Sequence, residues 1–325
     1  MLHTAVCDLI GIKHPIIQAG MGEFTSAQLV AAVSNAGGLG SLGCAYRTVD
    51  EIERQLSLAR ELTRKPFAVN HLLLTLDEDA FSLTLKERPV VISFAGGDPG
   101  DYVKWAHDAG ILVMHQIHTV KQAIQAAERD VDLIIAQGSE AGGHGGTVAT
   151  MTLIPQVVDA VSPLPVVASG SIADGRGLAA ALVLGAAGVN VGTRFLASEE
   201  APVSDIWKEM IVDAASEHAV KFKAWNDIMP PSSSGGYETS LRAIRTPFID
   251  HWQQHRNEAK LEAESLRSVV VDAMEKRKLY ELVPGAGQSA GLVGDILSAG
   301  EIVRKIAAEA EQTLEKSMIN LTKEN

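Results

Sequence analysis

The run Gln137-Gly138-Ser139-Glu140-Ala141-Gly142-Gly143-His144-Gly145-Gly146 sets one histidine among closely spaced glycines. Glycine lacks a Cβ, so such a backbone can lie close against a ligand while the imidazole projects from it. An imidazole that is neutral near pH 7 is suited to moving protons. His144 is therefore the candidate catalytic residue. Two more glycine-rich turns read Ala168-Ser169-Gly170-Ser171-Ile172-Ala173-Asp174-Gly175-Arg176-Gly177 and Asn190-Val191-Gly192-Thr193-Arg194-Phe195. Turns of this kind beside a helix start let several backbone N–H groups converge on an anion. The pair points to a cofactor that carries phosphate.

Other patterns carry less. Gly38-Leu39-Gly40-Ser41-Leu42-Gly43 matches G-x-G-x-x-G, but it follows a helical pattern and contains a strand pattern. A dinucleotide fingerprint needs strand, turn and helix in that order. His115-x-x-His118 and His251-x-x-x-His255 have spacings a metal could use, yet no cysteine cluster or intervening catalytic glutamate accompanies them, so no metal is expected. Gly285-Ala286-Gly287-Gln288-Ser289-Ala290-Gly291 lacks the Gly-Lys-Ser/Thr of a nucleotide P-loop and reads as a turn near the site. His3, His14, His107 and His218 read as surface or packing residues.

The elements that must position these groups follow a regular rhythm. Short apolar runs recur at 16–18, 39–41, 67–69, 90–92, 111–113, 133–135, 166–168 and 189–191. Amphipathic stretches lie between them, as at 26–36, 49–63, 102–109, 120–129 and 177–184. Continuous apolar strands alternating with helices predict a covered parallel sheet. Eight such units within roughly 200 residues suit a (β/α)8 barrel better than an open doubly wound sheet. In such a barrel, chemistry sits at the C-terminal strand ends, and phosphate is held by the loops after strands seven and eight. The glycine-rich turns fall at those two strands. Beyond Phe195 the rhythm changes, and 201–283 reads as a small appended helical domain with no convincing strand. It contains a loop, Pro230-Pro231-Ser232-Ser233-Ser234-Gly235-Gly236. The division expected is a barrel at 1–200, the helical domain, and a C-terminal loop and helix at 284–325 that pack back on the barrel.

Composition narrows the function classes. Among 325 residues, 46% are hydrophobic and 21% charged, enough for a sizeable core. Lys and Arg number 28 against 40 Asp and Glu, a net charge of -12. Such a balance argues against nucleic acid as partner, since phosphate backbones need concentrated positive charge. Two cysteines, Cys7 and Cys44, build no disulfide scaffold and fit a reducing compartment. No basic segment precedes a long apolar run, and the apolar stretches fall far short of the ~20 residues of a membrane span. A cytoplasmic protein is expected.

Taken together the motifs resemble the nitronate monooxygenase family, whose members bind FMN in a (β/α)8 barrel. The resemblance runs from about Pro15 to Glu200, with an echo at 286–293. It is carried by Pro15-Ile16-Ile17-Gln18-Ala19-Gly20-Met21-Gly22, Ala36-Gly37-Gly38-Leu39-Gly40, Phe67-Ala68-Val69-Asn70, Val91-Ile92-Ser93-Phe94, and most specifically the His144 run and the two phosphate turns. It implies that His144 is the catalytic histidine. It implies also that Gln137 and Asn70 hydrogen-bond the flavin ring or ribityl chain, and that Met21 lies against the ring. Gly142, Gly170, Ser171, Asn190, Gly192 and Thr193 are implied to hold FMN, largely through backbone N–H groups around its phosphate. Many relatives have Gly-Gly at Gly170-Ser171, and some carry a lysine after the fifth strand where this chain has His115-Gln116-Ile117-His118.

The activity the resemblance implies first is FMN-dependent oxidation of an alkyl nitronate by O2 to a carbonyl product and nitrite. The alternative is an NAD(P)H-dependent flavin reductase acting on an enoyl thioester or quinone, because flavin-dependent enoyl-acyl carrier protein reductases share the Glu-Ala-Gly-Gly-His loop. A barrel that only binds a phosphate ligand, as sensor or carrier, would have no use for an exposed imidazole. For a homodimer, the appended domain and the 285–291 loop are the expected surfaces.

Overall fold

The computed structural model describes residues 2–230 and 239–322. The chain builds a barrel from β1 (Ile16–Gln18), β2 (Gly40–Gly43), β3 (Phe67–Leu72), β4 (Val91–Ala95), β5 (Leu112–Ile117) and β6 (Leu133–Gln137). A short outlying strand, β7 (Gly143–Gly145), follows, and β8 (Val166–Ser169) and β9 (Gly188–Val191) complete the barrel. The eight barrel strands pair in parallel in the order β1-β9-β8-β6-β5-β4-β3-β2. The ring closes between its end strands, where Gln18 N–H donates to the Leu39 carbonyl and Leu39 N–H to that of Ile16, both at 2.9 Å. All eight predicted strand positions are occupied by strands, and the fold is the predicted (β/α)8 barrel.

Local chemistry explains where the helices start. Ser26, Thr48, Asp77, Thr119 and Asp174 each accept a hydrogen bond from a backbone N–H in the first turn of the following helix. A cap of this kind is worth about 1 kcal/mol. Inside the barrel, Ile17, Leu39, Ala68, Val91, Met114, Leu133 and Val167 form one buried cluster. Val6, Cys7 and Ile10, from the helix Ala5–Ile10, belong to the same cluster. The final helix, Ala299–Thr322, buries Ile302, Val303 and Ile306 in the main core outside the strands.

The appended segment is mainly helical, but it also holds two strands that the sequence does not announce. These are β10 (Ala219–Phe222) and β11 (Ser240–Ile244), which form an antiparallel sheet in the order β10-β11-β7. Both are short and carry charges, and their partner β7 is Gly-His-Gly, which has no strand preference. Only long-range pairing makes them strands. The loop expected at 230–236 lies, beyond Pro230, outside the described residues. Among the described residues, no helix is long and apolar enough to cross a membrane.

Candidate active site

The residues singled out for chemistry gather at the C-terminal ends of the barrel strands. Gly20 and Met21 follow β1, Asn70 lies in β3, and Gln137 ends β6. Gly170 and Ser171 follow β8, Asn190 lies in β9, and Gly192 and Thr193 follow it. Their packing links them around the rim. A Cβ on Gly192 would lie 3.4 Å from the Met21 sulfur, and one on Gly20 would overlap the Asn70 side chain. Asn70 Nδ2 donates to Ser93 Oγ at 3.2 Å, and Gln116 Nε2 to Gln137 Oε1 at 3.3 Å.

The turn after β8 has a backbone reason for its composition. Gly170 and Ser171 are successive residues in the left-handed region, at φ of 101° and 58°. A side chain is disfavoured there, by roughly 1–2 kcal/mol, which accounts for glycine being the easier residue at position 171. Among the described residues, the backbone N–H groups of Gly170, Ser171, Gly192 and Thr193 meet no backbone carbonyl outside their own elements. They are available to an anion. Asn190 is buried, its Nδ2 donates to Ser169 Oγ at 3.4 Å, and its Oδ1 has no partner among the described residues. These groups fit a phosphate-bearing cofactor that also offers hydrogen-bond donors.

His144 is held by parts of the chain far from it in sequence. It pairs with Leu241 of β11, between the pairs Gly143–Arg242 and Gly145–Ser240. Arg242 donates to the Ser139 carbonyl at 2.9 Å, and Lys221 of β10 donates to the carbonyls of Gly145 and Gly146. On the other flank the Glu140 carboxylate accepts from Thr150 N–H and Oγ1, each at 3.0 Å. Gln288 N–H donates to the Glu140 carbonyl and Gly287 N–H to Thr193 Oγ1, both at 2.9 Å. The 285–291 turn therefore ties the histidine loop to the turn after β9. Lys221 and Arg242 carry no signal in the sequence, because each acts through a partner dozens of residues away.

Gly142 sits where that tie is tightest, since a Cβ there would fall 2.6 Å from Gly287 N and 2.7 Å from the Ala286 carbonyl carbon. Backbone cannot yield as a flexible side chain can. Gly142→Ala is expected to cost about 1–3 kcal/mol and displace the His144 loop. A thermal melt together with the turnover rate checks this; an unchanged melting temperature and rate would refute the close approach.

Electrostatically the site is unusual for its neutral histidines. The His144 ring is exposed to the mouth of the site, yet the protein packed around it lowers its pKa below the ordinary histidine value. His115 and His118 are buried, and loss of solvation lowers both to about 4. At pH 7 none of the three is a cation. Among the described residues no group of three or more His, Cys, Asp or Glu could hold a metal ion.

Comparison with known proteins agrees with this architecture. The family model described as Nitronate monooxygenase matches residues 3–81 and 75–309. The chain is 34% identical to (3aS,4S,5R,7aS)-5-hydroxy-7a-methyl-1-oxo-octahydro-1H-indene-4-carboxyl-CoA dehydrogenase of Mycobacterium tuberculosis, covering 95% of this chain and 96% of that one. It is 31% identical to a probable nitronate monooxygenase of Staphylococcus saprophyticus, over 97% of this chain and 99% of the other. Among solved structures, FabK from Thermotoga maritima superposes with a TM-score of 0.89 at 34% identity, over 98% and 99% of the two chains. A glycine-bound histidine loop and glycine-rich turns after β8 and β9 on a (β/α)8 barrel, matched along most of the chain, identify an oxidoreductase that belongs to the nitronate monooxygenase family.

Proposed function

We propose that the chain is an FMN-dependent oxidoreductase whose substrate is an acyl thioester with an uncharged reacting end, with His144 moving the proton that accompanies electron transfer. FMN, when bound, supplies the two-electron redox chemistry. Gly170, Ser171, Gly192 and Thr193 would hold its phosphate, with Asn70, Gln137 and Asn190 as polar partners and Met21 as an apolar one. The observation that carries the choice of substrate is the neutral set His144, His115 and His118. The cations nearest these residues in the chain's pairing are both engaged by backbone carbonyls, Arg242 by those of Ser139 and Ala219 and Lys221 by those of Gly145 and Gly146. A small nitronate anion would find little positive charge there and would need no proton removed. A thioester needs a proton moved at carbon: a neutral imidazole takes it in the dehydrogenation direction, and the imidazolium so formed returns it when an enoyl thioester is reduced. The relative named as a carboxyl-CoA dehydrogenase supports this reading.

The second reading is oxidation of an alkyl nitronate by O2, supported by the family description and the relative named as a probable nitronate monooxygenase. The visible spectrum of the FMN-loaded protein, recorded without oxygen, separates them. Under the thioester reading NAD(P)H bleaches the flavin band and an enoyl-CoA restores it. Bleaching by propionate 3-nitronate but not by NAD(P)H would replace this reading with the second. A protein that takes up no flavin at all would sink both.

A further inference from the structure

We propose that the cleft between the β1 and β2 loops and the appended domain binds the phosphorylated adenosine end of an extended substrate or reductant. The cleft has a volume of about 530 Å³, and its wall includes Glu23, Phe24, Arg47, Arg54, Trp207 and Arg277. It begins two residues past Met21, so it opens on the same rim as the site, displaced to one side. The proposal deepens the reading above and takes its thioester substrate from it.

Three features point to an anionic, ring-bearing ligand. The first is charge. Arg47, Arg54 and Arg277 face Glu23 and Glu51 in the cleft, a positive balance in a chain of net charge -12. Arg47 pairs with Glu51 at 3.3 Å, Arg54 reaches the same carboxylate only at 3.9 Å, and the Arg54 side chain is 69% exposed. Arg277 is exposed, between Lys276 and Lys278, which pair with Asp272 and Glu281 respectively.

The second feature is a pair of donors left over in the wall. Arg47 Nε and Trp207 Nε1 are buried, and neither has an acceptor among the described residues. The Arg47 side chain is only 3% exposed, as is Trp207. A buried N–H without an acceptor costs on the order of 1–3 kcal/mol. Both missing partners are acceptors, the kind of group a phosphate provides, and both nitrogens are reached only when a ligand displaces the side chains that cover them.

The third is where strain is kept. Tyr46 and Arg277 both hold left-handed backbone, at φ of 64° and 57°. Tyr46 adjoins Arg47 and leaves its ring 60% exposed, while Arg277 takes the position after a helix end that glycine usually fills. Two exposed guanidiniums, Arg54 and Arg277, in a cleft whose wall also holds the rings of Phe24 and Trp207, suit a purine next to phosphates. Coenzyme A thioesters and NADPH share that chemistry, differing in whether the extra phosphate is on the 3′ or the 2′ oxygen.

Calorimetric titration of the FMN-loaded protein with 3′,5′-ADP and with 2′,5′-ADP tests this. At least one is expected to bind, and Arg54→Glu and Arg277→Glu are each expected to weaken it by about tenfold or more, as loss of a charge-assisted contact implies. Preference for the 3′ isomer assigns the cleft to the thioester, and preference for the 2′ isomer to the reductant; both uphold it. No binding, or binding indifferent to both substitutions, overturns it. The titration needs no turnover and can be repeated in His144→Ala, so failure of the cleft is distinguishable from failure of the catalytic reading.

Discussion

Replacing His144 by alanine is expected to lower turnover by ~10²-fold or more, with FMN still bound. The two effects separate because the groups are distinct. The groups proposed to hold the phosphate belong to Gly170, Ser171, Gly192 and Thr193, whereas the imidazole stands on β7, held by Lys221 and Arg242 through backbone carbonyls. Removing the ring therefore leaves both the turn and the loop anchors in place. The pH profile supplies a second readout. Burial lowers the His144 pKa, so its neutral form persists to more acidic pH than that of an ordinary histidine. In kcat/KM for the intact protein, an acid limb should appear below the ordinary histidine value of 6.5. That limb should vanish in the alanine variant. Turnover unchanged with every substrate would show that His144 is not catalytic.

The second large effect is on stability in acid. His71, His115 and His118 are buried, and burial lowers each pKa from 6.5 to about 4. Between those values the unfolded chain binds protons that the native chain does not. Stability is then fully present above about 6.5 and is lost as pH falls toward 4. Each histidine contributes up to ~1.4 kcal/mol per pH unit in that window, and three acting together approach ~4 kcal/mol per unit. Denaturant melts from pH 7 to 4 should show this steep loss. His71→Phe should remove about one third of the slope. His71 lies among Phe81 and Phe94, with ring centroids at 5.7 and 6.4 Å, so a phenyl ring suits its surroundings. Its partner Thr84 keeps a bond to the Ala80 carbonyl. A flat stability profile across the window would contradict the buried neutral state.

Much of the molecule was legible in its sequence. A barrel strand buried on both faces must be apolar along its length, and its helices must repeat every few residues. Those patterns are local, so all eight barrel strands could be read directly. The glycines of the His144 run and of the turns after β8 and β9 were legible for a similar reason. Close approach excludes a Cβ and left-handed backbone favours glycine, whatever lies elsewhere.

Other features only the tertiary structure decided. Neither Ala219–Phe222 nor Gly143–Gly145 has the composition of a strand, and each becomes one because Ser240–Ile244 pairs with both. The anchors of the histidine loop, Lys221, Arg242 and the Ala286–Gly287 turn, are set by contacts across large gaps in sequence. The same is true of charge state. A histidine's sequence position does not say how much water surrounds it, and burial alone takes His115 and His118 out of the cationic form. Spacing along the chain records what a residue's neighbours require of it; pairing, burial and proton affinity depend on groups that the chain brings together only when it folds.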